Sequence, residues 1–358
     1  MTRLRVVVVM PPATDLEHDA ALDLWPTFTK ALEVLQARGD VDPIGCARTT
    51  RPGGTVERNG VEYHFEPSDR RLARRVAALH PQVVHVHGLG FTRVVVAIRR
   101  AVGGGVPILL QHHGEPPSTD LRSRVARRIT RRMVDGYLFT GADGQSEAFR
   151  RIGAISRSAP VYEVLESASH LQSVEVVDVP ELSGDPCVLW VGRLIASKDP
   201  RCAVLAVAAA RRLGSGAELH MLATDRTMEV AVRQLVESAG LGDFVHLHPP
   251  VAHSAMPGWY RRADVYLSTS HREGSNYSLI EALGFGCRPV VTEIPSHAAI
   301  VQELARRFAV GDTDAAGALI AEHTLTSPTE IIEHSKRWLS WDIVAADLAA
   351  VYGHSRRS

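Results

Sequence analysis

Residues 271–292, HREGSNYSLIEALGFGCRPVVT, carry the densest set of side chains able to do chemistry. The apolar run DVYLS at 264–268 leads into a loop holding Glu273, Gly274, Ser275 and Asn276. Helical spacing then starts near Tyr277 or Ser278 and stops between Gly284 and Gly286, before a strand at 289–291. Such a unit leaves unpaired backbone N–H groups at the helix start, and with the helix dipole they favour an anion. Glu281 lies one turn inside this helix, where a carboxylate can accept from both hydroxyls of a ribose while phosphates sit on the helix end. Glu273 precedes the helix, within reach of a sugar. The plain alternative makes Glu281 a surface salt-bridge partner and Glu273 an ordinary loop acid.

A second group, WVGRLIASKDP at 190–200, follows an apolar strand. Gly192 ends the strand, Arg193 follows, and Lys198 is expected to open the next helix with Asp199 and Pro200. Two cations at a strand's carboxyl end can neutralise the charge that builds on a diphosphate as a sugar–phosphate bond breaks. Lysine is scarce in this chain, occurring only as Lys30, Lys198 and Lys336, against abundant arginine. Arg and Lys are not equivalent donors. The bland alternative is a solvated Arg and a Lys in a helix-start motif.

These groups need elements to hold them. Short apolar runs at 4–10, 83–86, 107–110, 136–139, 188–191, 219–222, 265–267 and 289–291 alternate with amphipathic stretches. Unbroken apolarity over so few residues predicts strands buried on both faces of a parallel sheet. Helical faces fall between them: Ala31, Leu32 and Leu35 share one, and Val204, Val207, Ala208 and Leu213 another. Strand–helix alternation implies an α/β fold of doubly wound sheets. The pattern occurs twice, so we expect two Rossmann-like domains, at 1–170 and 185–338, with the acidic stretch 170–184 as linker and a closing amphipathic helix within 339–358. Ligands bind such sheets at the carboxyl ends of the strands, which predicts a site in the cleft between the domains.

Composition excludes several classes. A length of 358 residues suits two cores better than one, and the formal net charge of zero gives no reason to expect nucleic acid. The apolar run near the N-terminus is too short for a signal-peptide core or a membrane span. Cys46, Cys187, Cys202 and Cys287 have no metal-ligand spacing and read as reduced, buried thiols of a cytoplasmic protein.

Taken together, the motifs resemble the retaining GT-B glycosyltransferases of family 4. Glu273 and Glu281 match that family's Glu-x7-Glu signature, and Gly192, Arg193, Leu194 and Lys198 match its Gly-Arg-Leu turn and following Lys. The ILLQHHG run at 108–114 matches an apolar strand ending in His-Gly, and Trp341, Asp342 and Tyr352 resemble its last helix, which crosses back onto the first domain. The resemblance is strong over 185–300, partial over 80–170 and thin over the first 75 residues. It implies that Arg193 and Lys198 bind the donor diphosphate, Glu281 holds the ribose, and Glu273 contacts the donor sugar. Main-chain groups at Ser278 and Leu279 would meet the phosphates, Asn276 and Tyr277 would also bind the donor, and His113 would approach the sugar from the other domain. It further implies retention of anomeric configuration by front-face attack, with a nucleotide-diphosphate sugar as substrate and neither cofactor nor metal. Two positions depart from the family. The loop after the first strand, PPATDLEHDAALDLWPT, lacks the usual glycine pair, Asp19, Ala20 and Ala21 standing in that region, and Ala223-Thr224-Asp225 replaces a Gly-x-Gly turn. The acceptor is open: a lipid, a saccharide or a small natural product.

Other readings compete. The pairs His85/His87 and His246/His248 place two imidazoles on one side of a strand, so either could chelate a metal, with His112 and His113 as further ligands to the first. That would make the chain a metal-dependent hydrolase. Asp40-Val41-Asp42 and Asp312-Thr313-Asp314 spell a metal–nucleotide motif but lie in short polar turns. Between Thr119 and Met133, Leu121, Val125, Ile129 and Met133 form a narrow stripe among arginines. It reads first as a core-facing stripe and second as a weak contact with an anionic membrane surface. A sugar-nucleotide epimerase or an inactive binding module would share this architecture.

Overall fold

In the computed structural model, described over residues 3–13, 15–24, 26–117, 120–173, 177–322 and 326–357, the chain divides into two units. The first comprises 1–166 with 341–358, and the second 167–340. The first contains β1 (Leu4–Val9), α1 (His18–Leu24), α2 (Pro26–Arg38), β2 (Val41–Arg48), β3 (Gly54–Arg58), β4 (Val61–Glu66), α3 (Asp69–Ala78), β5 (Val83–His87), α4 (Thr92–Val102), β6 (Ile108–Gln111), α5 (Leu121–Thr130), β7 (Gly136–Phe139), α6 (Ala142–Arg151) and β8 (Val161–Glu163). The second runs β9 (Cys187–Gly192), α7 (Pro200–Arg212), β10 (Glu218–Ala223), α8 (Glu229–Ser238), β11 (Val245–His248), α9 (Met256–Arg262), β12 (Val265–Ser268), α10 (Tyr277–Gly284), β13 (Arg288–Thr292), α11 (Pro295–Val301), β14 (Arg307–Phe308), α12 (Thr313–Ala321) and α13 (Pro328–Trp338). Helix α14 (Trp341–Arg357) returns to the first unit.

The first sheet has the order β3-β4-β2-β1-β5-β6-β7-β8 and is parallel except for the β3–β4 hairpin. The second, β11-β10-β9-β12-β13-β14, is parallel throughout. Each of the eight apolar runs forms a strand, and β1 shows why. Val6 and Val8 enter a core with α2 and α14, whereas Val7 and Val9 enter another with α3 and α4. Side chains alternate along a strand, so a sheet covered on both faces needs apolar residues at every position.

Six further strands lack that signature. Strand β4 (VEYHFE) alternates, and β2 contains Pro43 and Gly45. Pro43 pairs only with Val6 of β1, because β4 joins β2 from Gly45 onward, so the missing N–H faces no partner strand. Leu213, expected on the buried face of α7, is 64 % exposed at the helix's C-cap, while Val204 and Val207 are fully buried. The stretch expected as linker belongs in part to the second unit: residues 169–173 form a 3-10 turn, Val179 is buried, and Asp178 accepts from Arg262 at 3.0 Å.

The stripe on α5 faces outward, against the core-facing expectation. Leu121, Val125 and Ile129 are all more than half exposed, while Arg127 and Thr130 are buried, the guanidinium of Arg127 over the Phe149 ring. Thr119 lies outside the described residues. No described helix is long and apolar enough to cross a membrane.

In the second unit α7 and α12 pack in backbone contact. A Cβ on Gly317 would lie 2.4 Å from the Ala209 Cβ and 2.8 Å from the Ala206 carbonyl oxygen. Gly317→Val should therefore destabilise the fold by about 1–3 kcal/mol, the usual range for overpacking. The measurement is the urea midpoint at constant m-value, and an unchanged midpoint would contradict this packing.

Candidate active site

Strand β9 pairs with β10 on one side and β12 on the other, so the chain winds in opposite directions from this point. The crevice at such a reversal, outside the strands' carboxyl ends, is where an open α/β sheet binds ligands. Both predicted constellations of the second unit start there. Gly192 is the last residue of β9, and its bare Cα is closely approached by the Trp190 indole, 3.1 Å from where a Cβ would lie. Arg193 follows, exposed and close enough to Asp225 to lower that carboxyl, whose hydrogen bonds from Thr227 lower it more.

Lys198 does not open α7. It ends a 3-10 turn, Ala196–Lys198, and Asp199 in left-handed conformation caps α7 by accepting from the Cys202 N–H at 3.1 Å. A short side chain that accepts from the first turn stabilises the helix better than a long cation there would. The cap breaks the chain direction and leaves Lys198 to pair with Glu273. The Ser270 hydroxyl donates to the same carboxylate oxygen at 2.6 Å. Thr269 ties the two loops together, its Oγ1 lying 2.8 Å from the Lys198 carbonyl and 2.9 Å from that of Asp199. The His271 N–H donates to the Ser197 carbonyl at 2.9 Å, and its imidazole meets Asp199.

Asn276 is the hinge into α10. It has φ +45°, and its Oδ1 accepts from the Leu279 N–H at 3.4 Å and from the buried Tyr266 hydroxyl at 3.3 Å. Its Nδ2 donates to His297 Nε2 at 2.8 Å, while His297 Nδ1 donates to the Thr292 carbonyl at 3.0 Å, which fixes the tautomer. Burial, foremost, holds His297 down to about 4. The Leu279 amide is thus already engaged by Asn276, and Leu279 is fully buried. Tyr277 and Ser278, which precede it at the start of α10, are both partly exposed.

Glu281 is buried. Its Oε2 accepts from the Tyr260 hydroxyl at 2.6 Å and its Oε1 from His253 Nε2 at 2.8 Å. A carboxylate accepts at about four lone-pair positions, so capacity for two ribose hydroxyls remains. The hydrogen bond to Glu281 raises His253 above its ordinary range, although burial opposes this. Burial, then the charge of Glu273 and further that of Glu281, push the Tyr266 phenol well up, so both carboxylates act on one buried ring.

His113 sits in the first unit. Its Nε2 lies 2.8 Å from His87 Nδ1 and its Nδ1 3.2 Å from Glu166 Oε1, with the Phe28 ring edge-on. His85 turns to the Tyr352 hydroxyl of α14 at 2.8 Å. Burial, above all, holds His87 far below its ordinary range. The four histidines do not converge on a metal, because His112 packs against Phe139 and Phe149 on the other face of the sheet. The two Asp-x-Asp motifs are structural: Asp42 pairs with Arg5, Asp40 with Arg38 and Asp314 with Arg212, and Asp312 caps α12. Asp19 and Ala20, in the region that lacks the glycine pair, lie exposed on α1.

Sequence reasoning missed Thr269, Ser270, His297, Tyr260 and His253. Only the strand ends carrying Thr269 and Ser270 gave a signal; the others lie on elements whose chemistry is visible only in three dimensions.

Residues 185–325 match the family model described as "Glycosyl transferases group 1". The chain has a GT-B-type fold, and its residues 185–325 are similar to group 1 glycosyltransferase domains. The chain is 30 % identical over 110 residues to the D-inositol 3-phosphate glycosyltransferase of Arthrobacter sp. (strain FB24), a match covering 30 % of this chain and 26 % of that protein. So the matched stretch spans about a quarter of that relative's length. The same-named protein of Pseudarthrobacter chlorophenolicus is 29 % identical over 295 residues, 75 % of this chain and 69 % of that one. Among solved structures, trehalose-6-phosphate from E. coli bound with UDP-2-fluoro glucose superposes with a TM-score of 0.66 at 14 % identity, over 99 % of this chain and 97 % of that one. The GT-B half that matches the family model holds Arg193, Lys198, Glu273, Asn276 and Glu281, and the other half holds His113.

His297 sets an acid limit on this arrangement. The unfolded chain takes a proton at His297 near 6.5 and the folded chain only near 4, so between these values the unfolded state binds more protons and stability rises with pH. The urea midpoint should fall as pH drops from 6.5 toward 4, less steeply in His297→Asn. His253 has the opposite sign: its pairing stabilises fully below its unfolded value and is lost as pH rises through its raised one. An equal acid slope in the variant would overturn the assignment of His297.

Proposed function

We propose that the chain is a retaining glycosyltransferase that takes a sugar from a nucleoside-diphosphate donor, UDP- or GDP-linked, with no metal at the diphosphate. The observation that carries this reading is the Lys198–Glu273 pair at the strand reversal, beside Arg193 and the first turn of α10. Lys198 and Arg193 neutralise the departing diphosphate, the amides at Tyr277 and Ser278 meet its oxygens, Glu281 holds the ribose, and Glu273 the sugar hydroxyls. The catalytic histidine of this reading is His113, in the first unit. The glycosidic C–O bond breaks with its electrons passing to the β-phosphate oxygen. The acceptor hydroxyl adds on the same face, and its proton goes to that phosphate oxygen. Fixed cations facing a charge that develops during reaction lower the barrier without reorganisation. The E. coli structure's bound UDP-2-fluoro glucose supports a uridine donor.

For the acceptor we infer a small phosphate-bearing polyol. A cavity of about 260 Å³ in the first unit lies where β1 ends and α4 begins, lined by Met10, Arg48, Asp69, Phe91 and Arg93. No side chain caps α4 at Phe91, and its dipole together with Arg93 and Arg48, the latter paired with Asp69 at 3.2 Å, supports an anion there. The D-inositol 3-phosphate named for the relatives has this chemistry.

The test is turnover of UDP- and GDP-sugars with inositol 3-phosphate against unphosphorylated inositol, with product configuration read by NMR. Transfer with retention, unaffected by added Mg²⁺ and preferring the phosphorylated acceptor, is expected. Glu281→Ala should weaken nucleotide binding roughly tenfold to a hundredfold, the loss of hydrogen bonds to a charged group. Nucleotide binding without transfer to any acceptor, or epimer formation instead, would replace the reading with a binding module or an epimerase.

The outward stripe of α5, with exposed Arg124 and Arg128 beside Leu121, Val125 and Ile129, supports weak contact with an anionic membrane surface. The chain should cosediment with phosphatidylglycerol vesicles at low salt, and Leu121→Asp/Val125→Asp should not. Equal sedimentation of both would dismiss that contact.

A further inference from the structure

The opposite end of the second sheet carries a different constellation. Glu218 and His220 alternate on one face of β10, and His246 and His248 on the same face of β11. The parallel register sets His220 directly beside His246, their rings stacked with centroids 4.6 Å apart. Glu218 Oε2 lies 2.8 Å from His246 Nε2, and one donor atom from each of Glu218, His220 and His246 falls within 4.8 Å of the others. A fourth ligand atom, an oxygen, is at hand: the Ser183 carbonyl lies 3.0 Å from His220 Nε2, and the Ser183 hydroxyl donates to Glu218.

We propose that Glu218, His220, His246 and the Ser183 carbonyl form a site for one Zn²⁺ ion. Ligands at about 2.0–2.2 Å from a tetrahedral zinc stand about 3.3–3.5 Å apart, a spacing bracketed by the separations here, 2.8 and 3.0 Å for the hydrogen-bonded pairs and within 4.8 Å among the three side chains. The chemistry suits a borderline-soft divalent cation: two imidazole nitrogens, one carboxylate and one neutral oxygen.

Binding needs three internal proton moves: His220 and His246 each shift a proton from Nε2 to Nδ1, His246 giving up its bond to Glu218, and His248 frees its Nε2, from which it donates to His220 Nδ1 without metal. Without metal, His220 Nε2–H donates to the Ser183 carbonyl. To ligate through Nε2, His220 carries its proton on Nδ1 instead, and there it donates to His248 Nε2, 3.0 Å away. His248 therefore plays the part of the outer partner that a ligating histidine requires to fix its tautomer. The geometry of Ser183 is built in as well. Gly184 has φ +107°, and a Cβ there would lie 2.7 Å from the Glu218 N–H nitrogen, so the segment entering β9 can lie against β10 only with glycine at this position. The ion would clamp that entering segment, β10 and the edge strand β11 to one another, at the end of the sheet away from Lys198 and Glu273.

The experiment is isothermal titration of EDTA-stripped full chain with ZnSO4, with bound metal counted by mass spectrometry and Co²⁺ substituted for its d–d spectrum. One Zn²⁺ per chain at micromolar affinity or better, with a tetrahedral Co²⁺ spectrum, is expected. Glu218→Gln and His246→Ala should each weaken binding by at least tenfold, His248→Phe by about 10–100-fold as an outer-partner change, and His87→Ala not at all. Two independent ligand variants, with folding checked by circular dichroism, keep the test decisive if one is unstable. Absence of saturable zinc binding, or affinity unchanged in both ligand variants, overturns the site. No nucleotide enters the measurement, so its outcome is independent of the transferase reading.

Discussion

The hydroxyl of Thr269 holds the donor side together. It sits at the end of β12, fully buried, accepts from the Trp190 indole at 3.2 Å and faces the carbonyls of Lys198 and Asp199. One small polar group thereby joins β9, the loop that follows it and the loop that follows β12. A buried hydroxyl left unpaired is costly, and this one is satisfied only when those backbones occupy their observed positions. The placement of Lys198 against Glu273 depends on this junction, since both residues lie on irregular segments that no helix or strand ladder restrains.

A second device, built on Asn276, orients α10. Its left-handed backbone is uncommon for a residue with a side chain, and the cost is offset because every polar atom of that side chain is occupied. Tyr266 and the Leu279 amide take the oxygen, and Ser268 and His297 the nitrogen. His297 is held neutral by burial, so it can accept, and acid that protonates it removes the acceptor. Glu281, one turn beyond this hinge, ties α10 to His253 and Tyr260.

Much of this was legible in the sequence, for a physical reason. Strands buried on both faces have to be apolar at every position, so runs such as VLWV and VYL announce themselves, and polar residues just past them mark the strand ends where Arg193 and Glu273 stand. Strands at or near an edge carry no such constraint. β4 alternates because one face is less covered, and β11 reads VHLH because its face holds a histidine cluster. Helix faces were harder. On α5 the apolar spacing of Leu121, Val125 and Ile129 suggested a core contact, yet the inward positions are Arg127 and Thr130, which reach their partners through a cation–π contact and a backbone carbonyl. His253 and His297 had no local signature, since their partners lie 28 and 21 residues away in sequence.

The residues proposed to bind the donor are engaged within the protein before any ligand arrives. Lys198 is paired with Glu273, and Glu281 accepts from both His253 and Tyr260. For Lys198, a phosphate must compete with a partly buried carboxylate, whose removal would leave Glu273 a charge held only by Ser270 and its remaining neighbours. A hydrogen-bonding sugar can replace the ammonium at Glu273 while the phosphate takes the ammonium, so the two exchanges are each unfavourable alone and compatible together. A free nucleoside diphosphate supplies only the second. On the proposed reading, the pair would favour the intact sugar nucleotide over its hydrolysed nucleotide, because a buried carboxylate that loses its cation without gaining a sugar keeps only Ser270 and its other neighbours.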